Sequence, residues 1–346
     1  MPYHMPSLTN LVYKILTLCL FFNAGCKKKE TASVQNNLTG QYRISGNKIL
    51  NYGNAVQLMG ANGFHVFGAG GSDMNKWNLD MVREFVGNMK EARLSGGVIQ
   101  DANGAFLHSL QTVADSNRQN KRVTIFCAFG WDGSGATEFT GKRPTLCAWW
   151  NDFKIKLQQW AIQFKDQPDV WIEVWNEPYR FDRADGYTDD IWASDMTEMV
   201  NIIRNAGNQN IILVPCAEQG QDERVLLNKG AAFLSARNNI LFDIHAYEKW
   251  LLVPAGDMGN RLAQLKQQNL PFIFGEMAPL NASVLMDPKS FLDSIYFRGI
   301  SACAWVWKYD TNDRDALLDN SGLPNNNQNN NWGTLFKNYC IRPRNP

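Results

Sequence analysis

Short apolar runs recur along the chain with a regularity that predicts its architecture. After a hairpin expected over Gln41–Ile49, turning at Gly46-Asn47, such runs begin near Val56, Gly97, Val123, Val170, Ile211, Ile240, Phe272 and Ile300. Val123–Phe126, Ile211–Val214 and Phe272–Phe274 are continuous rather than alternating, as strands covered on both faces must be. Helical periodicity fills the gaps. Phe153, Leu157, Trp160, Ala161 and Phe164 mark one helix face, and Ile191, Met196, Met199, Ile202 and Ile203 another, with Asn205-Ala206-Gly207 as a stop. Strand and helix alternating eight times predicts an α/β protein, a (β/α)8 TIM barrel with a short N-terminal β-hairpin. No Gly-x-Gly-x-x-Gly follows the first run, which argues against a doubly wound open sheet.

In such a barrel the chemistry belongs at the C-terminal ends of the strands. Two carboxylates fall there. The fourth run, Val170–Trp175, ends in Asn176-Glu177-Pro178, and the seventh, Pro271–Gly275, ends in Glu276. Strands four and seven of eight face each other across the mouth. A carboxylate pair flanking a bond is what glycoside hydrolysis requires, one protonated to serve the leaving oxygen and one ionised.

Composition narrows the choice. The 346 residues carry 34 Lys and Arg against 33 Asp and Glu, so the basic face a nucleic-acid binder needs is not expected. With four His and no His-Glu-x-x-His or paired Cys-x-x-Cys, no metal and no cofactor are predicted. Twelve Trp supply flat apolar faces suited to sugar rings. Trp131, Trp149, Trp150, Tyr179, Trp250 and Tyr309 are candidates for an aromatic line along the rim.

Residues 1–26 read as an export signal: the apolar run Ile15–Phe22 is too short to span a bilayer and leads into Asn23-Ala24-Gly25-Cys26. Ala-Gly-Cys resembles a bacterial lipoprotein box, which makes Cys26 the lipidation site and the membrane a partner only through that anchor. Plain secretion, or periplasmic release, is the other reading. Residues 27–40 read as a tether and 41–346 as one catalytic domain, expected to act as a monomer. Five Cys remain in that domain, an odd number that leaves at least one free thiol, with Cys127–Cys147 a possible bridge.

Asn176-Glu177-Pro178, Gly275-Glu276, His245-x-Tyr247 closing the sixth run, the opening pattern Gly46…Ile49…Gly53-Asn54 and Trp305-Val-Trp307 together resemble glycoside hydrolase family 5, the cellulase and mannanase family, over roughly residues 41–336. The resemblance implies a retaining hydrolase of a polysaccharide or oligosaccharide substrate, with Glu177 as acid/base and Glu276 as nucleophile. It further implies Asn176 on the sugar 2-OH, Tyr247 holding the nucleophile, His245 lining the same subsite and Trp307 as its stacking floor. The stretches Ile203–Gly207, Ile211–Gln221 and Asn239–Tyr247 are similar to the bacterial mannanase branch and favour β-1,4-mannan over β-1,4-glucan. The family's second-strand Arg is not found in Gly96–Asp101, with Arg93 too early, and its third-strand His is replaced by Phe129-Gly130-Trp131-Asp132. His65 and Trp131 are therefore candidate substrate contacts. The alternative is a surface glycan-binding lipoprotein with a catalytically dead barrel.

Overall fold

The computed structural model describes residues 41–65, 72–87, 99–100, 106–129, 139–308, 314–326 and 331–346. Eight parallel strands close into a barrel: β1 (Met59–Gly63), β2 (Met81–Gly87), β3 (Val123–Phe129), β4 (Val170–Glu173), β5 (Ile212–Pro215), β6 (Ile240–Ala246), β7 (Phe272–Met277) and β8 (Ala302–Ala304). Ala302 pairs with Met59 to join the last strand to the first. Below the barrel, Tyr42–Ser45, Lys48–Asn51 and Asn54–Val56 form a three-stranded antiparallel sheet, so the hairpin gains a third strand and the first barrel strand starts after Val56.

The second strand is the larger correction. It is not the run near Gly97 but Met81–Gly87, whose polar interruptions Arg83 and Glu84 disguise it. Residues 99–100 instead pair with 106–107 in a separate short ribbon.

Helices α1 (Leu110–Gln119), α2 (Trp150–Phe164), α3 (Asp189–Asn205), α4 (Arg224–Ser235), α5 (Ala255–Gln267), α6 (Lys289–Phe297) and α7 (Trp332–Cys340) follow strands β2 to β8 in turn. Their starts are chemically marked. Ser109 caps α1 by accepting from the Thr112 amide, and Thr188 caps α3 by accepting from Ile191, with Asp189 and Asp190 in the positive first turn. The apolar faces of these helices pack on the outward side of the strands, where Val82, Phe126, Ile172, Val214 and Phe242 complete the main core.

Strand alternation stacks the interior in layers. The lowest is apolar, with Met81, Ile125, Trp171, Leu213, Leu241 and Ile273. Two residues higher the same faces become ionic: Arg83 above Met81, Glu173 above Trp171, Asp243 above Leu241. Phe85 stands above Arg83, and His245 above Asp243. The C-terminal end of the barrel thus holds a buried charged layer directly beneath its mouth.

All five Cys of the barrel are free thiols, so Cys127 and Cys147 are not bridged. Cys127 is buried beside Arg83, while Cys147 lies partly exposed at the foot of α2. Cys26 and the whole leader lie outside the described residues.

Candidate active site

Arg83 is the hub of the charged layer. It is fully buried, and its guanidinium donates from Nε and Nη2 to Glu173 (2.5 and 2.8 Å), from Nη1 to Glu276 Oε1 (2.7 Å) and Asn62 Oδ1 (3.0 Å), and from Nη2 to Asn176 Oδ1 (2.9 Å). One planar cation therefore fixes side chains from β1, β4 and β7, which only a forked donor can do. This arginine stands where the sequence reading found none, because β2 begins earlier than its apolar content suggests.

Glu276 ends up held on both oxygens. Arg83 takes Oε1, and Tyr247 donates its hydroxyl to Oε2 at 2.7 Å. Both partners are donors, an environment that suits an anionic oxygen pair. Tyr247 itself is pushed well above the ordinary phenol range, by burial first and then by the charge of Glu276, so it remains a donor.

Glu177 sits differently. It follows β4 in a left-handed backbone conformation (φ 48°), an uncommon state for a residue with a β-carbon. The loop across from it is pinned there, since the Gly141 amide donates to the Glu177 carbonyl at 2.7 Å. Oε1 of Glu177 meets His245 Nδ1 at 2.8 Å. Burial raises the Glu177 carboxyl above its usual range, the charge of Glu276 adds to that, and the His245 contact opposes both. Oxygens of Glu177 and Glu276 and a nitrogen of His245 all lie within 4.8 Å of one another.

His245 links the two levels. Its Nε2 faces Asp243 Oδ2 at 3.4 Å, and its Nδ1 lies 3.5 Å from Glu276 as well as against Glu177. Burial disfavours the imidazolium, but the carboxylates of Glu276, Asp243 and Glu177 outweigh it and hold His245 protonated well above the ordinary histidine range. Asp243 is fixed from behind by the Gly275 amide (2.6 Å). Glu173, buried next to Arg83, is pushed up to about 7, by burial and against the pull of the arginine. Two triads, Glu173–Asp243–His245 and Glu177–His245–Glu276, have residue types that bind metals. Arg83 and the His245 imidazolium already supply the cations these carboxylates need.

The mouth above is a pocket of about 280 Å³ lined by Phe85, Thr140, Asn176, Glu177, Gln219, Gln221, Tyr247, Glu276, Asn281 and Trp305. A larger groove of about 620 Å³ lies at the opposite end, between the N-terminal sheet and the barrel floor, where Tyr42, Arg43 and Lys165 line it. It contains neither member of the carboxylate pair.

Of the residues singled out in the sequence, Asn176, Glu177, Tyr247 and Glu276 line this pocket, and His245 lies beneath it. Trp307 does not. The ladder of β8 ends at Ala304, so the in–out alternation does not extend to residue 307. Its ring is 1% exposed and packs edge-on to Trp77 at 5.0 Å, while Trp305 is the half-buried indole of the pocket. Trp305 is backed by Phe85 (5.2 Å) and Phe64 (6.0 Å), both edge-on.

His65 is also elsewhere. Glu84 points outward from β2 and binds His65 Nδ1 at 2.5 Å, drawing the imidazole to the outer wall of the barrel. Trp131 and Tyr309 lie outside the described residues. Trp150, Tyr179 and Trp250 are buried, and Trp149 stacks on Trp175 at 5.3 Å, so these four form core rather than an aromatic rim. Arg83, Glu173, Asp243, Gln219 and Gln221 were missed. Glu173 and Asp243 do leave a signal in the sequence: each is a lone acid inside an apolar strand, two residues above an apolar residue of the barrel floor, Trp171 and Leu241.

The pattern for the cellulase family, glycosyl hydrolase family 5, matches residues 71–311, which contain Arg83, Glu173, Asn176, Glu177, Asp243, His245, Tyr247, Glu276 and Trp305. The chain belongs to glycosyl hydrolase family 5. A mannan endo-1,4-beta-mannosidase of Cellvibrio japonicus is 27% identical over 169 residues, 48% of this chain, and the match spans only 37% of that relative's length. In shape, the family 5 chain is similar to the catalytic domain of a mannanase from Streptomyces sp. SirexAA-E (TM-score 0.63, 20% identity, covering 90% of this chain and 92% of that one). It is similar also to a beta-mannanase from Streptomyces thermolilacinus (0.63, 18%, 86% and 96%) and to a cellulase (0.62, 17%, 88% and 93%). At these identities the likeness is one of fold, shared by mannanases and a cellulase alike.

Proposed function

We propose that this chain is a retaining endo-β-1,4-glycan hydrolase acting on β-mannan or glucomannan. The observation that carries the reading is the asymmetry of the two carboxylates: Glu276 is held by two donors, whereas Glu177 is raised by burial and lies within 4.8 Å of it. Close spacing suits direct attack, since an inverting pair stands about 6.5–9.5 Å apart to admit a water. In this mechanism an oxygen of Glu276 attacks the anomeric carbon while Glu177 gives its proton to the departing oxygen. A covalent glycosyl-enzyme results. Glu177, now ionised, takes a proton from water, which attacks the same carbon and releases Glu276, with the configuration retained overall.

Arg83 and Tyr247 orient the nucleophile. His245 sets the acid, and Trp305 offers a flat face to the sugar bound at the anomeric carbon. Asn176, whose carbonyl oxygen faces Arg83 and whose amide reaches Thr140 Oγ1 at 3.1 Å, is positioned for the hydroxyl next to that carbon. The mannan preference rests on the curated relative and on the resemblance of Ile203–Tyr247 to the mannanase branch. We further propose that residues 1–26 direct export, with lipid attachment at Cys26, and that the enzyme works as a monomer at the cell surface.

Hydrolysis of glucomannan, galactomannan and carboxymethylcellulose by the wild type, Glu177→Ala and Glu276→Ala tests the reading. The expected result is release from the mannans that both substitutions abolish, with the β-anomer formed first by NMR. Release from carboxymethylcellulose alone would overturn the substrate assignment, and an α-anomer formed first would overturn the mechanism.

A further inference from the structure

The segment following β5 is built in an uncommon way. Glu218 (φ 52°, ψ 57°) and Gln219 (φ 55°, ψ 43°) are consecutive left-handed residues, followed by Gly220 at φ 75°. Non-glycine residues adopt this conformation singly, and rarely, because the β-carbon crowds the following carbonyl. The surroundings impose it here. The Glu218 side chain is buried and accepts from Arg183 Nε (2.5 Å), Arg224 Nη2 (3.2 Å), the Tyr187 hydroxyl (3.3 Å) and Lys249. The Gln219 amide N–H donates to the carbonyls of Pro178 and Tyr179 at 3.1 Å, tying the turn to the residues that follow Glu177. Gly220 lies against the His245 ring, where an added Cβ would stand 2.7 Å from Cγ.

The product of this construction is one side chain. Gln219 is directed into the pocket, with its Nε2 3.1 Å from the place a Cβ on Gly141 would occupy. The other amides there are committed: Asn176 to Arg83 and Thr140, Asn281 to Glu248 (3.0 Å), and Gln221 Oε1 to the Lys249 amide (3.2 Å). Among the described residues the Gln219 side-chain amide has no hydrogen-bond partner. A primary amide offers two donors and an acceptor, a match for the vicinal hydroxyls of a neutral sugar and a poor one for a charged group.

Its place fixes which sugar. Trp305 on the β8 side and Glu276 on β7 hold the ring whose anomeric carbon is attacked. Gln219 follows β5, which pairs with β4, and its side-chain amide lies beside Gly141, whose N–H is bonded to the Glu177 carbonyl. It therefore stands next to the acid that must protonate the oxygen of the departing sugar, and three strands away from Trp305 on β8. We propose that Gln219 is a specificity-determining residue that hydrogen-bonds hydroxyls of the sugar on the leaving-group side of the scissile bond, and that Glu218 positions it. This inference rests on the glycanase reading above.

The test compares two substrates that share a glycone. One is the β-1,4-linked tetrasaccharide the wild type cleaves fastest; the other is the 4-nitrophenyl glycoside of the matching disaccharide, whose leaving group carries no sugar hydroxyls. Gln219→Ala should lower kcat/KM on the tetrasaccharide about fivefold, the effect of one uncharged hydrogen bond, and lower it clearly less on the aryl glycoside. Glu218→Gln should show the same split, and transfer of the glycosyl group to an added disaccharide acceptor should fall in parallel. Equal losses on both substrates would make the turn merely structural and overturn the inference, as would unchanged kinetics on the tetrasaccharide. A wild type that cleaves neither substrate overturns the glycanase reading itself, a result separable from either of these.

Discussion

Arg83 and Glu276 come from opposite walls of the barrel, β2 and β7, and meet at its centre with Nη1 2.7 Å from Oε1. The contact is buried on both sides, 0% and 5% exposed, and the same guanidinium grips Glu173 through two further N–H groups. A charge so deep is retained only when its partners are in place.

Arg83→Lys keeps the charge and loses the fork. One ammonium cannot serve Glu173, Glu276, Asn62 and Asn176 together. The expected outcome is a 10- to 100-fold drop in kcat/KM, corresponding to about 1.5–3 kcal/mol for a hydrogen bond to a charged group, with KM little changed. Arg83→Ala leaves Glu173 buried without the cation it is hydrogen-bonded to and should cost about 3–5 kcal/mol of stability. Steady-state kinetics and denaturant titration separate the two effects.

The alkaline limb of the pH profile should follow Glu177, which must carry a proton to act. Because burial and the charge of Glu276 raise its carboxyl, the limb is expected above the ordinary glutamate range. His245 opposes that rise, so His245→Asn removes a favourable contact to the charged form and moves the limb to higher pH while lowering kcat. A limb that stays in place would show that another group sets it.

The two indoles of the β8 exit should part company. Trp305→Ala removes the pocket's flat face and is expected to raise KM and lower kcat/KM about 10-fold, in line with the 0.5–1.5 kcal/mol an aromatic contact adds beyond buried area. Trp307→Ala opens a cavity beside Trp77 and is expected to cost about 3–5 kcal/mol of stability, with KM preserved. Thermal unfolding and oligosaccharide kinetics on both variants check the assignment.

Outside the barrel wall, Glu84 contributes to acid stability. Its burial favours the neutral acid, but His65 and Asn117 outweigh this and lower its pKa on folding. A depressed carboxyl stabilises the protein above its unfolded value, and that contribution disappears as pH falls through the folded one. Glu84→Gln should therefore lower Tm at neutral pH and flatten the loss of Tm on acidification. A parallel shift at every pH would contradict this.

Strands β3 to β8, the carboxylate pair and the His-x-Tyr face are legible in the sequence because apolar runs there coincide with two-sided burial. β2 is not, for a physical reason. Its inward face carries Arg83 and its outward face Glu84, both fully buried and both paired across the chain, to Glu173 and to His65. Local hydrophobicity records neither partner, so the apolar residues near Gly97 were the more convincing strand. Trp307 departs from its expected place for a related reason: the alternation of β8 ends with its ladder at Ala304, and the chain beyond turns that indole onto Trp77. His65, the candidate to stand in for the family's third-strand His, turns instead to Glu84, an acid that the polar face of β2 conceals. Gln219 leaves almost no sequence signal, since what aims it is a left-handed turn anchored by residues from four separate segments.

The charged layer also gives the two halves of the chain a shared dependence. Asn62, Arg83, Glu173 and Asn176 come from β1, β2 and β4, whereas Asp243, His245, Tyr247 and Glu276 come from the β6–β7 side, and no catalytic group is complete within either set. A chain severed in the loop between α3 and β5 would yield two fragments, each inert alone, whose mixing restores turnover only as the cylinder shuts. Activity in this protein is then a readout of ring closure, and fragment complementation would time the last step of its assembly.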